Sequence, residues 1–154
     1  MRIAIGADHA GFWLKERLKR ELQAMGHEVS DAGTTSEAPV DYPDYVFPVA
    51  EKVAHHEADR GVVVCGSGVG ASIAANKVHG IRAGLVTDAD SARLTREHND
   101  TNVLALGSRC VPSDDDAVAW MKTWLETPFA GERHARRVNK IEDYERQHAR
   151  EESR

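Results

Sequence analysis

An α/β protein of three layers is predicted, with a five-stranded parallel sheet in a Rossmann-like arrangement of order 2-1-3-4-5 and an additional helix at the C-terminal end. Three observations carry this expectation. Short apolar runs alternate with segments of helical period along the chain; Leu14, Leu18, Leu22 and Met25 line one helical face; and the apolar run Val62-Val63-Val64-Cys65 leads straight into the glycine-rich turn Gly66-Ser67-Gly68-Val69-Gly70.

Strands are expected near Arg2–Ile5, Glu28–Asp31, Gly61–Cys65, Arg82–Val86 and Asn102–Leu106. The helix carrying Leu14 to Met25 is followed by Gly26, a residue suited to the left-handed position after a helix. Further helices are expected over Tyr45–His55, Gly70–Lys77, Asp90–His98, Ser113–Glu126 and Gly131–Gln147. Pro39, Pro43 and Pro48 punctuate a long connection after the second strand, and a long ordered loop in a compact domain is more often functional than idle. At 154 residues and 41% hydrophobic, the chain is long enough to bury a core as one domain, assigned to 1–148, with a polar, frayed tail over 149–154.

Composition excludes several classes. Cys65 and Cys110 are the only cysteines, in no metal-ligand spacing, and no N-terminal segment resembles a signal peptide, so a reducing, cytoplasmic setting is expected. No apolar run approaches membrane-spanning length. A net charge of −5 argues against nucleic acid as a partner, which needs a basic face. Basic residues gather instead in Arg133-His134-Ala135-Arg136-Arg137, where Arg133 and Arg137 share a helical face and can clamp a phosphate or simply meet solvent. Asp114-Asp115-Asp116, at a helix start, read as compensation of the helix dipole.

Ligands of doubly wound sheets bind beyond the carboxyl ends of the strands, where the winding reverses. In the expected order that point lies between strands one and three, so Asp8-His9-Ala10-Gly11 and the turn after Cys65 face each other. Glycines 66, 68 and 70 expose backbone N–H groups, and a helix opening there adds the positive end of its dipole, which together suit an anion. Each residue also has a plain alternative. Cys65 can fill the end of a core strand, Asp8 and His9 can cap a turn, and His98 can face a helix C-terminus. The functional reading rests on all of them converging on one crevice.

A phosphate loop of the Walker type would end in Gly-Lys-Ser/Thr, whereas this turn continues Gly70-Ala71-Ser72. A thiol phosphatase would want an arginine where Ala71 stands. The dinucleotide fingerprint stays open, because Gly66-x-Gly68-x-x-Ala71 fits its variant form and Asp88 follows at a strand end.

Six motifs then give the chain a resemblance to the type B ribose-5-phosphate isomerases, a family that includes allose- and galactose-6-phosphate isomerases. They are Gly6-x-Asp8-His9-x-Gly11, Asp41-Tyr42-Pro43, Cys65-Gly66-Ser67-Gly68-Val69-Gly70, Ala74-Ala75-Asn76-Lys77, His98-Asn99-Asp100-x-Asn102 and Gly107-Ser108-Arg109. The resemblance implies a homodimer, or a tetramer, with sites drawing on both chains, and aldose–ketose isomerisation through an enediolate without metal or cofactor. It assigns Cys65 as the base between C1 and C2, and the backbone of Gly66, Ser67, Gly68, Val69 and Gly70 to the developing oxyanion. It implies that His98 opens the furanose ring with help from Asp8 and His9, that Tyr42 and Asn99 bind the sugar, and that Arg109, Arg133 and Arg137 hold the phosphate. One branch of the family uses a glutamate at position 71 in place of the cysteine; Ala71 places this chain in the cysteine branch.

The chemistry is coherent. A free thiol titrates near 8.5, so a base at neutral pH needs a helix N-terminus or a cation beside it. Backbone donors aimed at the enediolate oxygen supply the larger share, since losing one such donor typically costs about 10²- to 10³-fold in rate. The sequence leaves substrate length open between a pentose 5-phosphate, a tetrose 4-phosphate and a hexose 6-phosphate. A non-catalytic nucleotide-binding module and a metal-dependent hydride-shift isomerase are the competing classes. Cys110 has no matching role and is read as structural.

Overall fold

The computed structural model describes residues 1–152, with side chains through Ala149. In chain order the elements are β1 (Arg2–Ala7), α1 (Phe12–Ala24), β2 (Glu28–Asp31), α2 (Tyr42–Ala54), β3 (Arg60–Cys65), α3 (Val69–Asn76), β4 (Ala83–Leu85), α4 (Ala89–Asn99), β5 (Val103–Gly107), α5 (Asp114–Glu126) and α6 (Arg133–Glu152). The five strands are all parallel.

Strand alternation divides the core in two. Ile3, Ile5, Val62, Val64, Leu104 and Leu106 face α1, α4 and α5, meeting Leu14, Leu18, Leu22, Met121 and Trp124. Ala4, Val63, Cys65, Val103 and Ala105 face α2 and α3, meeting Val46, Val49, Ala71 and Ala75. The side chain of Cys65 therefore points to the α2 and α3 layer. Trp124 is fully buried and donates its indole N–H to Thr101 Oγ1 at 3.0 Å, so its polar atom is satisfied.

The α/β class and the parallel sheet agree with the sequence reading, but the strand order is 2-1-3-5-4 and the expected 2-1-3-4-5 is corrected at its last two positions. All five residues of β5 are buried, and it pairs with β3 from Gly61↔Val103 to Cys65↔Gly107. The three residues of β4 are only partly buried. A continuous apolar run is stable with neighbours on both sides, while a short, half-covered strand is tolerated at an edge.

Element ends moved for local reasons. α2 begins at Tyr42, three residues before the expected start, because Asp41 sits extended at the N-cap and a proline occupies the first helical turn, where its missing N–H costs nothing. Gly26 takes the left-handed conformation just past α1. Ser113 caps α5 by accepting from the Asp116 N–H at 3.1 Å. α6 runs to Glu152, so the frayed tail expected from Ala149 is helical over that stretch; its last two residues, 153 and 154, lie outside the described residues. Among the described residues, no helix is long and apolar enough to cross a membrane.

Candidate functional site

The carboxyl ends of β1, β3 and β5 form a crevice tied together by backbone. Asp8 N–H donates to the Val64 carbonyl at 3.3 Å, Ser108 N–H to that of Cys65 at 2.8 Å, and Arg109 N–H to that of Gly66 at 3.0 Å. Ser108 Oγ reaches across to the Ala10 carbonyl at 2.7 Å, so the three loops hold a common geometry.

Cys65 is buried, at 4% exposure, and its Sγ accepts from the Gly68 N–H at 3.2 Å. Gly68 is left-handed, with φ of 78°, and is the N-cap of α3 without any side-chain cap. That conformation turns the chain sharply enough to aim the N–H at the sulfur, and glycine adopts it without steric cost. Val69 N–H turns to Ser67 Oγ at 3.2 Å. The N–H groups of Gly70 and Ala71 have no acceptor among the described residues. They are first-turn donors at the positive end of α3, the arrangement that receives an anion.

Tyr42 closes this crevice from the α2 side. A Cβ on Gly70 would lie 2.6 Å from Tyr42 Cζ, so the ring rests directly on the glycine backbone and a larger residue would have to push it aside. Arg109 lies across the opposite rim, its Nη1 3.0 Å from where a Cβ on Gly66 would stand.

Asp8 is buried, and its Oδ1 accepts from the Gly11 N–H at 3.0 Å, so part of its job is to hold the β1 turn. His9 is half-buried, and the Val40 N–H lies 3.1 Å from its Nδ1. That contact anchors the long β2 to α2 connection to the crevice. Beside it a cavity of about 400 Å³ is lined by His9, Pro39, Val40, Asp41, Asp44 and Tyr45.

His98, Asn99, Arg133 and Arg137 do not join these residues within one chain, and the expected convergence on a single crevice is corrected. Each helix after a parallel strand returns to the amino edge of the sheet before the next strand begins. His98 and Asn99 end α4 just before β5 starts, while Cys65 pairs with Gly107 at the far end of that strand. The intervening length of β5 is on the order of 15 Å.

At this amino edge a second cluster forms. The His98 and His134 rings stack at 4.1 Å between centroids and 11° between planes. Burial, then His98, Arg133 and Arg137 in that order, hold His134 below the usual histidine range. Arg133 and Arg137 are exposed on α6 and make no ion pair among the described residues. Glu142, a plausible partner for them by sequence, instead accepts from Arg82 at 2.8 Å.

Sequence reasoning gave His134 and Arg82 no part. The signal for His134 was its place one turn before buried Val138, on the inward face of α6. Cys110 is exposed and free. Asp88 caps α4: its Oδ1 accepts from the Ser91 N–H at 2.6 Å in a reciprocal cap.

The fold and the crevice define a Rossmann-like α/β protein with an anion-accepting turn beside a thiol. A family model described as Ribose/Galactose Isomerase matches residues 3–141. The chain is 49% identical over 140 residues to ribose-5-phosphate isomerase B of Escherichia coli, covering 91% of this chain and 93% of that one. Ribose-5-phosphate isomerase B of Clostridium thermocellum superposes with a TM-score of 0.93 at 51% identity, over 96% of this chain and 99% of the other. The Mycoplasma genitalium enzyme of that name, with bound ribulose-5-phosphate, gives 0.90 at 41% identity, over 94% and 96%. The chain belongs to the ribose/galactose isomerase family and is an aldose–ketose isomerase.

Proposed function

We propose that this protein interconverts D-ribose 5-phosphate and D-ribulose 5-phosphate through an enediolate, with Cys65 as the base. The observation that carries the reading is the sulfur of Cys65 at the foot of a turn whose Gly70 and Ala71 N–H groups have no acceptor. In the aldose direction the thiolate takes the C2 hydrogen as a proton. The C–H electron pair forms the C1=C2 bond, and the C1 carbonyl oxygen becomes an oxyanion facing the turn. A proton passes from O2 to O1, which moves the oxyanion to O2; the O2 electrons then form the C2 ketone as the C1=C2 pair takes the proton back from the thiol at C1 and regenerates the thiolate. Donors already in place at the developing charge need no reorganisation during the step. Ser67 and Tyr42 border the sugar, with Asp8 and His9 beside them.

The active site is shared between two copies of the chain. Each copy carries a thiol and an anion hole at one end of its sheet, and at the other an imidazole pair with arginines that make no ion pair among the described residues. Two copies related by a two-fold axis, the thiol end of each meeting the histidine end of the other, complete both sites. His98 of one copy opens the furanose ring, Asn99 binds the sugar, and Arg133 and Arg137 hold the phosphate beside Arg109 of the other copy. A phosphate held far from the reacting carbons supplies binding energy that fixes their position.

The relatives named for ribose 5-phosphate support the pentose, and the chain's similarity along nearly its whole length supports a common site. The test is a kcat/KM comparison across tetrose 4-, pentose 5- and hexose 6-phosphates. The pentose is expected to lead. A tetrose or hexose leading overturns the substrate, and no turnover of any of them overturns the function.

A further inference from the structure

We propose that Arg82 is a positioning residue for this reaction: its guanidinium locks the turn at Asp100 and ties it to α6, fixing His98 and Asn99 relative to Arg133 and Arg137. The inference rests on the reading above and extends it to a residue that touches no substrate.

Arg82 stands just before the edge strand β4, and its side chain is 17% exposed. Nε donates to the Asn99 carbonyl at 2.9 Å, Nη2 to the Asp100 carbonyl at 2.9 Å, and Nη1 to Glu142 Oε1 on α6 at 2.8 Å. One planar fork thus spans the end of α4 and the body of α6. Its backbone is fixed as well, since its N–H donates to Asn102 Oδ1 at 2.9 Å.

The turn it grips is unusual. Asp100 closes α4 in the left-handed conformation, with φ of 47°. A glycine there would adopt it without cost, and a lysine nearby would satisfy the helix dipole as a point charge. The chain instead uses a β-substituted residue held from two sides. Arg96 Nη1 donates to Asp100 Oδ1 at 2.8 Å and to the Thr101 carbonyl at 2.7 Å, opposite Arg82. A backbone conformation over-determined in this way fixes the direction in which the preceding residues point, and those residues are His98 and Asn99.

Beyond the His98–His134 stack and buried Val138, apolar packing leaves a gap at the same junction. A cavity of about 400 Å³ lies there, bordered by Asn76, Arg82, Thr95, Asn99, Ile141 and Glu145. Across it the polar ties from α6 are Glu142 to Arg82 and Glu145 to the Gly80 N–H at 2.8 Å. Without the Arg82 strut, the α4 terminus keeps the His98–His134 stack but loses the polar tie that sets its turn against the body of α6.

The test uses full-length Arg82→Met with three readouts: melting temperature, isomerisation of ribose 5-phosphate, and exchange of the C1 hydrogen of saturating ribulose 5-phosphate with solvent. Exchange needs the base and the enediolate but no ring opening. The expected result is a folded protein whose isomerisation kcat/KM falls roughly 10- to 100-fold, with KM raised and exchange near the wild-type rate. Arg82→Lys keeps a charge for Glu142 but lacks the fork, so it is expected to restore KM and leave kcat low; if Arg82→Met does not fold, this variant decides by the same readouts. Unchanged isomerisation in a folded variant overturns the proposal, as does a parallel loss of isomerisation and exchange. Wild-type protein inactive on pentose phosphates overturns the function itself, and this inference with it.

Discussion

The imidazoles of His98 and His134 lie face to face, 4.1 Å apart and within 11° of parallel, joining the end of α4 to the first turns of α6. Protonating His134 would place a charge in a buried position against a second imidazole and between Arg133 and Arg137, which is why its pKa lies below the usual value. A histidine depressed in the folded state binds fewer protons there than in the unfolded chain. Its contribution to stability is whole above about pH 6.5, the unfolded value, and falls away as pH drops below it. Urea titrations across this range are expected to show that decline, and His134→Asn is expected to flatten it. An undiminished decline in the variant would assign the effect to another group.

Complementation between two inactivated variants tests the proposed dimer with its shared site. Cys65→Ala and His98→Asn damage opposite ends of the sheet, so each homodimer has two defective sites. A mixed dimer concentrates both lesions in one site and leaves the other intact. Unfolded together at equal amounts and refolded, the pair is expected to recover roughly a quarter of the wild-type rate, half the dimers being mixed and each carrying one good site of two. No recovery from well-folded mixtures would mean that each chain works alone.

This arrangement marks the limit of what the sequence made legible. Periodicity and the turn after Cys65 were sufficient for the layers, the parallel sheet and the contact between the β1 and β3 loops, because these follow from local pattern and the geometry of βα units. The order of β4 and β5 was not, since it depends on which run is buried on both faces, and strand spacing alone does not weigh the longer apolar run Val103-Leu104-Ala105-Leu106 against the shorter Ala83-Gly84-Leu85. Placing His98 with Cys65 in one crevice failed for a related reason: motif membership says that two residues serve one site, not that they belong to one copy. Arg82 carries no local signal, because its three acceptors lie far along the chain or on backbone carbonyls.

Removal of the proposed base gives the most direct chemical readout. Cys65→Ala deletes one sulfur from a buried position, with its Gly68 N–H left to face the small void. The turn retains its contacts through Ser108 and Arg109, so the fold is expected to persist by circular dichroism. Isomerisation is expected to fall by about 10²- to 10⁴-fold, the usual contribution of a positioned general base, and solvent exchange at C1 is expected to fall with it. Activity within a few-fold of wild type would remove Cys65 from the chemistry.

Arg137→Ala separates binding from chemistry. The guanidinium is exposed and makes no ion pair among the described residues, so its loss leaves no buried group unsatisfied and the melting temperature is expected to hold. If it grips the phosphate, KM rises much more than kcat falls, because an interaction equally strong in the ground state and the transition state affects only KM. An unchanged KM would free α6 of the phosphate role.

The carboxyl end of β1, where Asp8 stands, depends on a buried lysine. Lys15 has no side-chain exposure, and its ammonium meets both Asp31 oxygens at 3.0 and 2.8 Å and Glu16 at 2.9 Å. Asp31 in turn accepts from the Gly33 N–H at 2.9 Å, and the Gly33 carbonyl accepts from the Ala7 N–H at 2.7 Å, so the pair braces the backbone next to Asp8. Burial pushes the Asp31 carboxyl up, but Lys15, Lys19 and the Gly33 N–H outweigh it and hold the group below the ordinary aspartate range. A carboxylate depressed on folding stabilises fully above its unfolded pKa of about 3.9 and loses that contribution as pH falls toward the folded value. Asp31→Asn is expected to cost about 3 kcal/mol at neutral pH by leaving the buried ammonium under-compensated. It is also expected to make the acid limb of the stability profile shallower below pH 4, where the wild-type carboxylate takes up its proton. Denaturant unfolding at neutral pH and at pH 3 reads both effects, and a variant as stable as wild type at neutral pH would show that Glu16 alone satisfies Lys15.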